Sequence, residues 1–520
     1  MSQPPIQAGE EAARSKISGQ AQEWIRRAAL ALAMVGGAYY VGAFMYIAIS
    51  RIGYPFALEW LEGGSYTEVQ RLLTGQPLYA RPDFSYVAMI YPPLYYYISA
   101  VFARIMGLSY LPLRLVSLAS ALGALALIYL ICRRDRTDRV PALLASGLFA
   151  ATYSLSGAWF DVARIDMFSV FLLLLSIWML RVQTLRSYVA AGIVAALAAL
   201  TKQTHLISVA CLGLFLLLCD RHKGLFFVFP FLAAYGLAFL LLNSVYAGWY
   251  QFFVFKLALG SGEYVTLSPA SSLGAALAFW GNSLLLALPI VLLIVIAWFV
   301  TSWRTSRDLS TLFFYATCAI GMIGTSWSVV QVGGYKNDLI PAYAAISILF
   351  GLSLQSAQSQ LGSKPMFLSA VLAACAIQFG LLRYPIAALI PSQGDVKAGQ
   401  ALVAQVRSQP RDVYIPWHPD LALMAGKQPF ASWSPMYQLE GNFGGGDVHE
   451  SARVKTQFSN AMAGQQFGLI ILDQEVNWIW GHPERYYTTT YEPVFSSPDV
   501  FWPVAGWATR PTIIMVPNGK

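Results

Sequence analysis

Charge is scarce in this chain. Asp, Glu, Lys and Arg together make up 12% of 520 residues, against roughly 25% in an ordinary soluble domain. Apolar residues fill the space: 57% of the chain is hydrophobic and the mean hydropathy is +0.54. This balance excludes a water-soluble fold and points to a polytopic α-helical membrane protein. Cysteine is also sparse. The five present (Cys132, Cys211, Cys219, Cys318 and Cys375) all fall in apolar stretches, and no CxxC or Cys/His spacing exists. Neither a disulfide framework nor a zinc site is expected. No cleavable leader is expected: no small-residue cleavage site follows a short apolar core, so residues 1–27, with Arg14, Lys16, Arg26 and Arg27, read as a cytoplasmic segment before an uncleaved anchor. There is no internal repeat and no low-complexity segment.

What is there is a series of long apolar runs. A span needs about 20 apolar residues to cross about 30 Å of hydrocarbon. Runs near that length lie at 28–50, 113–132, 140–160, 167–181, 205–219, 224–244, 272–300, 310–328, 338–354 and 366–383, with a shorter one at 187–202. About 11 transmembrane helices are expected. The net charge of +8 is spread over short connecting loops, which makes it an orientation signal rather than a nucleic-acid surface. With the N-terminus inside, eleven basic residues fall in inner loops, whereas the short outer loops hold only Arg164, Lys202, Lys256 and Lys336. Residues 51–112 then form a long outer loop. Within it, YPPLYYYISAVFARIMGL (91–108) is apolar enough to span, but its Pro-Pro start, tyrosines and Arg104 fit an interfacial helix better. From about residue 390 the spans stop. Strand-like runs at 412–417, 467–473 and 511–517, with helical patterns at 400–408 and 450–464, predict a small outer α/β domain over 391–520, beside a membrane domain over 28–390.

This topology brings two acidic pairs to the outer boundary: Glu59 and Glu62 in LEWLEGG, and Asp161 and Asp166 in DVARID. Carboxylates at a membrane boundary are costly to desolvate and are functional candidates. Each has a plainer reading. In a helix, Glu59 and Glu62 would share a solvated face with Tyr66 and Gln70, and Gly63-Gly64 would mark a turn. Asp161 and Asp166, flanking Arg164, could cap the next helix. Lys202 in LTKQTH could snorkel or contact a lipid phosphate; His205 beside it reads as a satisfied polar residue. Lys336 and Asn337 in GGYKNDLIP offer donors near a helix start, where an Asn/Asp cap is the alternative. The spacing D-x-x-x-x-D is not a strong metal motif, so no cofactor is expected, with a divalent metal as the alternative that the spacing does not support. The tryptophans of the last quarter suit either a sugar ring or docking at the membrane's aromatic belt.

The order of these features resembles the GT-C glycosyltransferases, membrane enzymes that use polyprenyl-phosphate-linked sugars. EWLEGGSYTEVQRLLTGQPLYARP…YPPLYYYISA is similar to their first-loop signature, including relatives of the aminoarabinose transferase of lipid A; ARIDMF is similar to their second acidic motif, and LTKQ to their lysine-bearing turn. The resemblance covers residues 28–245. It implies a multi-pass protein of the inner or plasma membrane, with an outward active site. Glu62 matches the family's catalytic acid position, with Glu59 as an extra neighbour. Asp166 matches the second motif, and Lys202 a phosphate contact, supported by Arg164, Asp161, Tyr66, Lys336 and Asn337. The activity implied is inverting transfer of a hexose or pentose from a polyprenyl-phosphate donor to a glycan, lipid or protein acceptor, without nucleic acid and with Glu62 as general base, although Glu in place of the family's usual Asp leaves open which of Glu59 and Glu62 acts. A lipid or sugar transporter, predicting discontinuous helices and midplane charges, and a non-catalytic scaffold are the rival readings.

Overall fold

The computed structural model describes residues 5–258, 274, 277–305, 309–330, 334–441, 447–473, 480–490 and 492–519. Helix α1 (Pro5–Arg51) contains the first apolar run. It is followed by α2 (Glu62–Leu73), α3 (Leu94–Met106), α4 (Tyr110–Arg134), α5 (Arg139–Ala151), α6 (Asp166–Leu180), α7 (Leu185–Ala199), α8 (His205–Cys219) and α9 (Arg221–Val245). Apolar helices Pro289–Thr305, Leu309–Gly324, Ile340–Leu361 and Pro365–Leu381 complete the bundle. Each of the eleven apolar runs contains a helix. Among the described residues, however, five helices are long and apolar enough to cross a membrane, or six if Leu277–Leu285 and Pro289–Thr305, bent by 95°, count as one. The others are shorter because turns occupy part of their apolar run, most clearly at 152–165.

Burial sorts these helices by their surroundings. The most apolar window of α9 is only 11% buried, and Phe229, Leu232, Leu240 and Val245 are exposed. A helix apolar all round that protein does not cover is solvated by lipid. The window within Lys336–Leu361 is 89% buried, making that helix the central post. Helix α3 is the segment read as interfacial. With 13 residues it is one of the shorter apolar helices. Tyr95, Tyr96, Ser99 and Ala103 turn inward while Val101, Phe102, Ile105 and Met106 remain exposed.

Beyond residue 390 the chain builds a mixed four-stranded sheet in the order β1-β2-β4-β3, with β1 (Asp412–Tyr414), β2 (Phe467–Leu472), β3 (Tyr487–Thr489) and β4 (Ile513–Pro517). Strands β1 and β2 are parallel, and β4 runs antiparallel to both its neighbours. The three strand-like runs supply β1, β2 and β4. Strand β3 has no apolar run; its threonines are exposed at the sheet edge and only Tyr487 is buried. Helices Gln393–Ser408 and Val448–Ala463 cover the predicted helical patterns. This unit is packed onto the first long loop. Phe56 sits in a core with Leu402, Val413, Ile471 and Phe501, its ring 5.3 Å from that of Phe501. Tyr66, Tyr86 and Tyr110 share a second core with Trp417, Phe430 and Phe467.

Candidate active site

The two acidic pairs converge, but the four carboxylates end in different states. Glu62 is the most completely satisfied. Arg114, near the start of α4, donates from Nε to its Oε1 (3.0 Å) and from Nη2 to its Oε2 (2.7 Å). The backbone N–H groups of Leu58 (2.6 Å) and Ala163 also donate to it. Neither Glu62 nor Arg114 has any exposed surface. Arg114 spends its remaining donors on the carbonyls of Tyr54 and Phe56. The pair thus ties the first long loop, the second loop and α4 together. A carboxylate that already accepts four hydrogen bonds has no lone pair left for a substrate proton. The expectation that Glu62 is the base therefore meets a geometry that makes it a brace.

Asp161 is held in the same way. Arg51, at the end of α1, donates to both its oxygens (2.8 and 2.6 Å), and the Tyr153 hydroxyl donates to Oδ1 (2.7 Å). This locks Asp161 away from any ligand-binding role. Asp166 opens α6 and anchors a network rather than only capping the helix. It accepts from Trp159 Nε1 (2.9 Å), Lys202 Nζ (2.7 Å) and Asn337 Nδ2 (3.0 Å), while Lys202 also donates to Asp338 (2.7 Å). Burial pulls the Lys202 pKa down, but Asp166 and Asp338 outweigh it and hold it above the ordinary lysine range. Lys202 is a fixed cation. His205 Nε2 meets Ser169 Oγ at 2.9 Å, but its buried Nδ1 has no partner, so the expectation of a satisfied polar residue holds for one ring nitrogen only. Lys336 is exposed and lies outside the network. Tyr66 is buried, its ring against Tyr110.

Glu59 differs from all of these. The helix expected to carry both glutamates begins only at Glu62, so Glu59 lies in the preceding turn, where its carbonyl accepts from Glu62 N–H (2.9 Å). Gly63 and Gly64 are inside the first turn of α2 instead of marking a bend. A Cβ on Gly63 would meet the Asp420 carboxyl, and one on Gly64 would meet Met89 Sδ at 3.1 Å; close packing is what requires glycine there. The helix ends at Gly75, φ +73°, where Gln76 N–H bonds to Arg71 C=O and Gly75 N–H to Leu72 C=O, a Schellman cap. The Glu59 side chain is fully buried and accepts one hydrogen bond, from Leu61 N–H (3.0 Å); its Oε1 has none. Burial pushes its pKa up to about 8, against the pull of nearby Arg164. Arg164 is likewise under-used. Its guanidinium lies over the rings of Tyr91 and Trp159, it reaches Leu61 O at 3.4 Å, and its buried Nε has no partner. A buried carboxyl with an unpartnered oxygen and a raised pKa, near a cation with an unpartnered donor, marks a candidate functional site.

A strap from the end of the chain closes over this pair. Ala505 N–H donates to Leu58 O (3.0 Å), Gly506 N–H to Gly157 O (3.1 Å), and Tyr335 Oη to Gly506 O (2.8 Å). Gly506 has φ +73°, and a Cβ there would lie 2.5 Å from Glu59 Cγ and 2.9 Å from Trp159 Cζ3. Gly506→Ala is therefore expected to destabilise the protein by about 1–3 kcal/mol, read by thermal melting in detergent. A melting curve unchanged from wild type would mean the strap is not seated this way.

Two partners in this site were missed at the sequence level, Arg51 and Arg114, whereas Asp338 was read only as an acidic group of GGYKNDLIP that could cap a helix. The signal for Arg114 was present, since an arginine inside the apolar stretch LPLRLVSL must find a counter-charge. Among the described residues, no group of three or more His, Cys, Asp or Glu side chains is arranged to hold a metal ion.

Residues 89–329 match the family model of Glycosyltransferase family 87. The match is to a glycosyltransferase family of the GT-C superfamily. The fold of this chain agrees with that of ArnT from Cupriavidus metallidurans bound to undecaprenyl phosphate, at TM-score 0.54 and 13% identity over 92% of this chain and 97% of that one. The oligosaccharyltransferase of Archaeoglobus fulgidus, tethered with an acceptor peptide, aligns at TM-score 0.53 and 13% identity over 86% and 72%. No protein of curated function matches the chain. The family match spans Arg164, Asp166 and Lys202, runs beyond the stretch where the resemblance was legible, and starts after Glu59 and Glu62.

Proposed function

We propose that this chain is a GT-C transferase that moves a sugar from a polyprenyl-phosphate-linked donor to a glycan, lipid or protein acceptor of the cell envelope, with inversion at the anomeric carbon. Glu59 is the general base. The observation that carries this reading is that the buried Glu59 Oε1 and the buried Arg164 Nε both lack a hydrogen-bond partner, in side chains near enough to act on each other's charge. Once the 504–507 strap lifts, Glu59 takes the proton of the acceptor hydroxyl. The acceptor oxygen forms the new bond to the anomeric carbon from the face opposite the phosphate, and the sugar–phosphate bond breaks with its electron pair leaving on the lipid phosphate. Arg164, whose position is fixed by Leu61 and Tyr91, offsets the charge on that phosphate, with the Lys202 ammonium behind it. Phosphate is a good leaving group, so no general acid is needed. ArnT was solved with undecaprenyl phosphate and the archaeal oligosaccharyltransferase with dolichol-phosphate, which supports a donor of this class.

The topology proposed with it has eleven spans, the N-terminus in the cytoplasm, and residues 391–520 as an outer α/β domain. The packing of Phe56 and Tyr66 into the cores of the C-terminal unit supports a common side for that unit and the first long loop.

The test is transfer by purified protein in nanodiscs, offered radiolabelled polyprenyl-phosphate sugars and envelope acceptors. Because Glu59 must be ionised to act and burial holds its pKa at about 8, kcat/KM is expected to rise with pH through that value and then level off. A rate independent of pH between about 6 and 9 would rule out Glu59 as the base. No transfer across the panel, with lipid or sugar moving in proteoliposomes instead, would overturn the whole reading.

A further inference from the structure

One cavity does not contain Glu59, Arg164 or Lys202. It has a volume of about 530 Å³ and lies between α2, the 85–89 segment and residues 419–432 of the C-terminal unit. Helix α2 forms a wall shared by two sites. Glu62, Ser65 and Val69 occupy one face, and Gly64, Thr67, Glu68 and Arg71, spaced at three and four residues, turn to the cavity. Ligand pockets of about 300–1,000 Å³ are the usual size for small-molecule sites.

The chemistry of the wall narrows the occupant. Glu68 is 3% exposed. Its carboxyl accepts from Tyr86 Oη (2.6 Å) and Met89 N–H (3.1 Å), which leaves lone pairs for a further donor. Burial pushes its pKa up to about 7, so it can accept from or donate to a hydroxyl near neutrality. The two cations at the cavity are already engaged. Arg71 lies over the Tyr86 ring, 3.5 Å from its centroid, and donates to Pro77 O and Gln76 Oε1; Lys427 Nζ donates to the carbonyls of Gln409 (2.6 Å) and Arg411 (3.0 Å). With its cations spent on neutral oxygens and a carboxyl at its wall, the cavity is poorly matched to an anion. Phe430 adds an aromatic surface, and the exposed Gln428 stands at the C-terminal side.

We infer that the cavity between α2 and residues 419–432 is a saccharide-binding site for a neutral, hydroxyl-rich ligand, the glycan portion of the acceptor. The acceptor role rests on the transferase reading above; the binding site does not. Held there, a glycan chain is gripped by both the first long loop and the C-terminal unit.

The experiment is saturation-transfer NMR on the full chain in nanodiscs. The probes are methyl α-mannoside, methyl β-galactoside, N-acetylglucosamine and their disaccharides, with glucuronate and glucose 1-phosphate as anionic comparators. Saturation transfer to a neutral saccharide is expected. Its apparent affinity should be about tenfold weaker in Glu68→Gln, through loss of one charge-assisted hydrogen bond. In Gln428→Trp, which puts bulk in the cavity from an exposed position and leaves the core alone, the signal should be lost. Binding should be unchanged in Glu59→Gln. No transfer to any neutral saccharide, preference for the anionic probes, or binding that survives Gln428→Trp at wild-type strength would overturn the site. If wild-type protein binds saccharide in a Gln428-dependent manner yet transfers no sugar from any polyprenyl donor, the cavity stands and the donor assignment falls.

Discussion

Glu59→Gln protein is expected to transfer sugar about 10²–10⁴-fold more slowly than wild type, the range that a positioned general base contributes, while melting no lower than wild type. The substitution keeps the volume and the bond from Leu61 N–H, and removes only the ability to take a proton. Stability moves the other way, and the sign follows from linkage. The folded Glu59 pKa, about 8, lies above its ordinary value of 4.5. Below the lower value the carboxyl is protonated in both states. Between the two, the unfolded chain ionises while the folded one resists, so the protein loses stability as pH rises through this window. Glu59→Gln should remove that loss and melt higher than wild type at about pH 8. Retained turnover in a folded Glu59→Gln variant would end the assignment.

Arg114→Met and Glu62→Gln should act through folding. Each leaves a fully buried partner without its counter-charge, a change worth about 3–5 kcal/mol. Arg114→Met also frees the Tyr54 and Phe56 carbonyls. Thermal melting in detergent should show a large drop for each single variant, and the double variant should be less destabilised than the sum of the two. Glu62→Gln protein that does fold should still transfer sugar. The informative reverse is a Glu62→Gln variant of wild-type stability that is dead while Glu59→Gln is active; it would return the base to the residue that the family resemblance favours.

Much of the fold was legible because its signals are local. Long apolar runs force helices, since backbone groups in lipid must bond within their own segment. Strand-like apolar runs marked β1, β2 and β4. The edge strand β3 was not legible, because Tyr-Thr-Thr pairs only where β4 offers it an edge. Glu59 was expected inside a helix because its spacing to Glu62 fits one turn; the Leu61 position and the docking of residues 419–420 against Gly63 start the helix later.

The site divides along the same line. The sequence by itself determined that this is a multi-pass membrane protein and that LEWLEGG, DVARID and LTKQ hold its boundary charges, because placing a charge beside hydrocarbon is costly whatever the fold. Only the tertiary structure decided which of those charges are free. Arg51 satisfies Asp161 and Arg114 satisfies Glu62 from helices 110 and 52 residues away, while Gly506, at the other end of the chain, seals Glu59 with no partner for its Oε1. Whether a buried carboxylate is a brace or a base depends on who else reaches it, and contacts across such separations leave no pattern in local spacing.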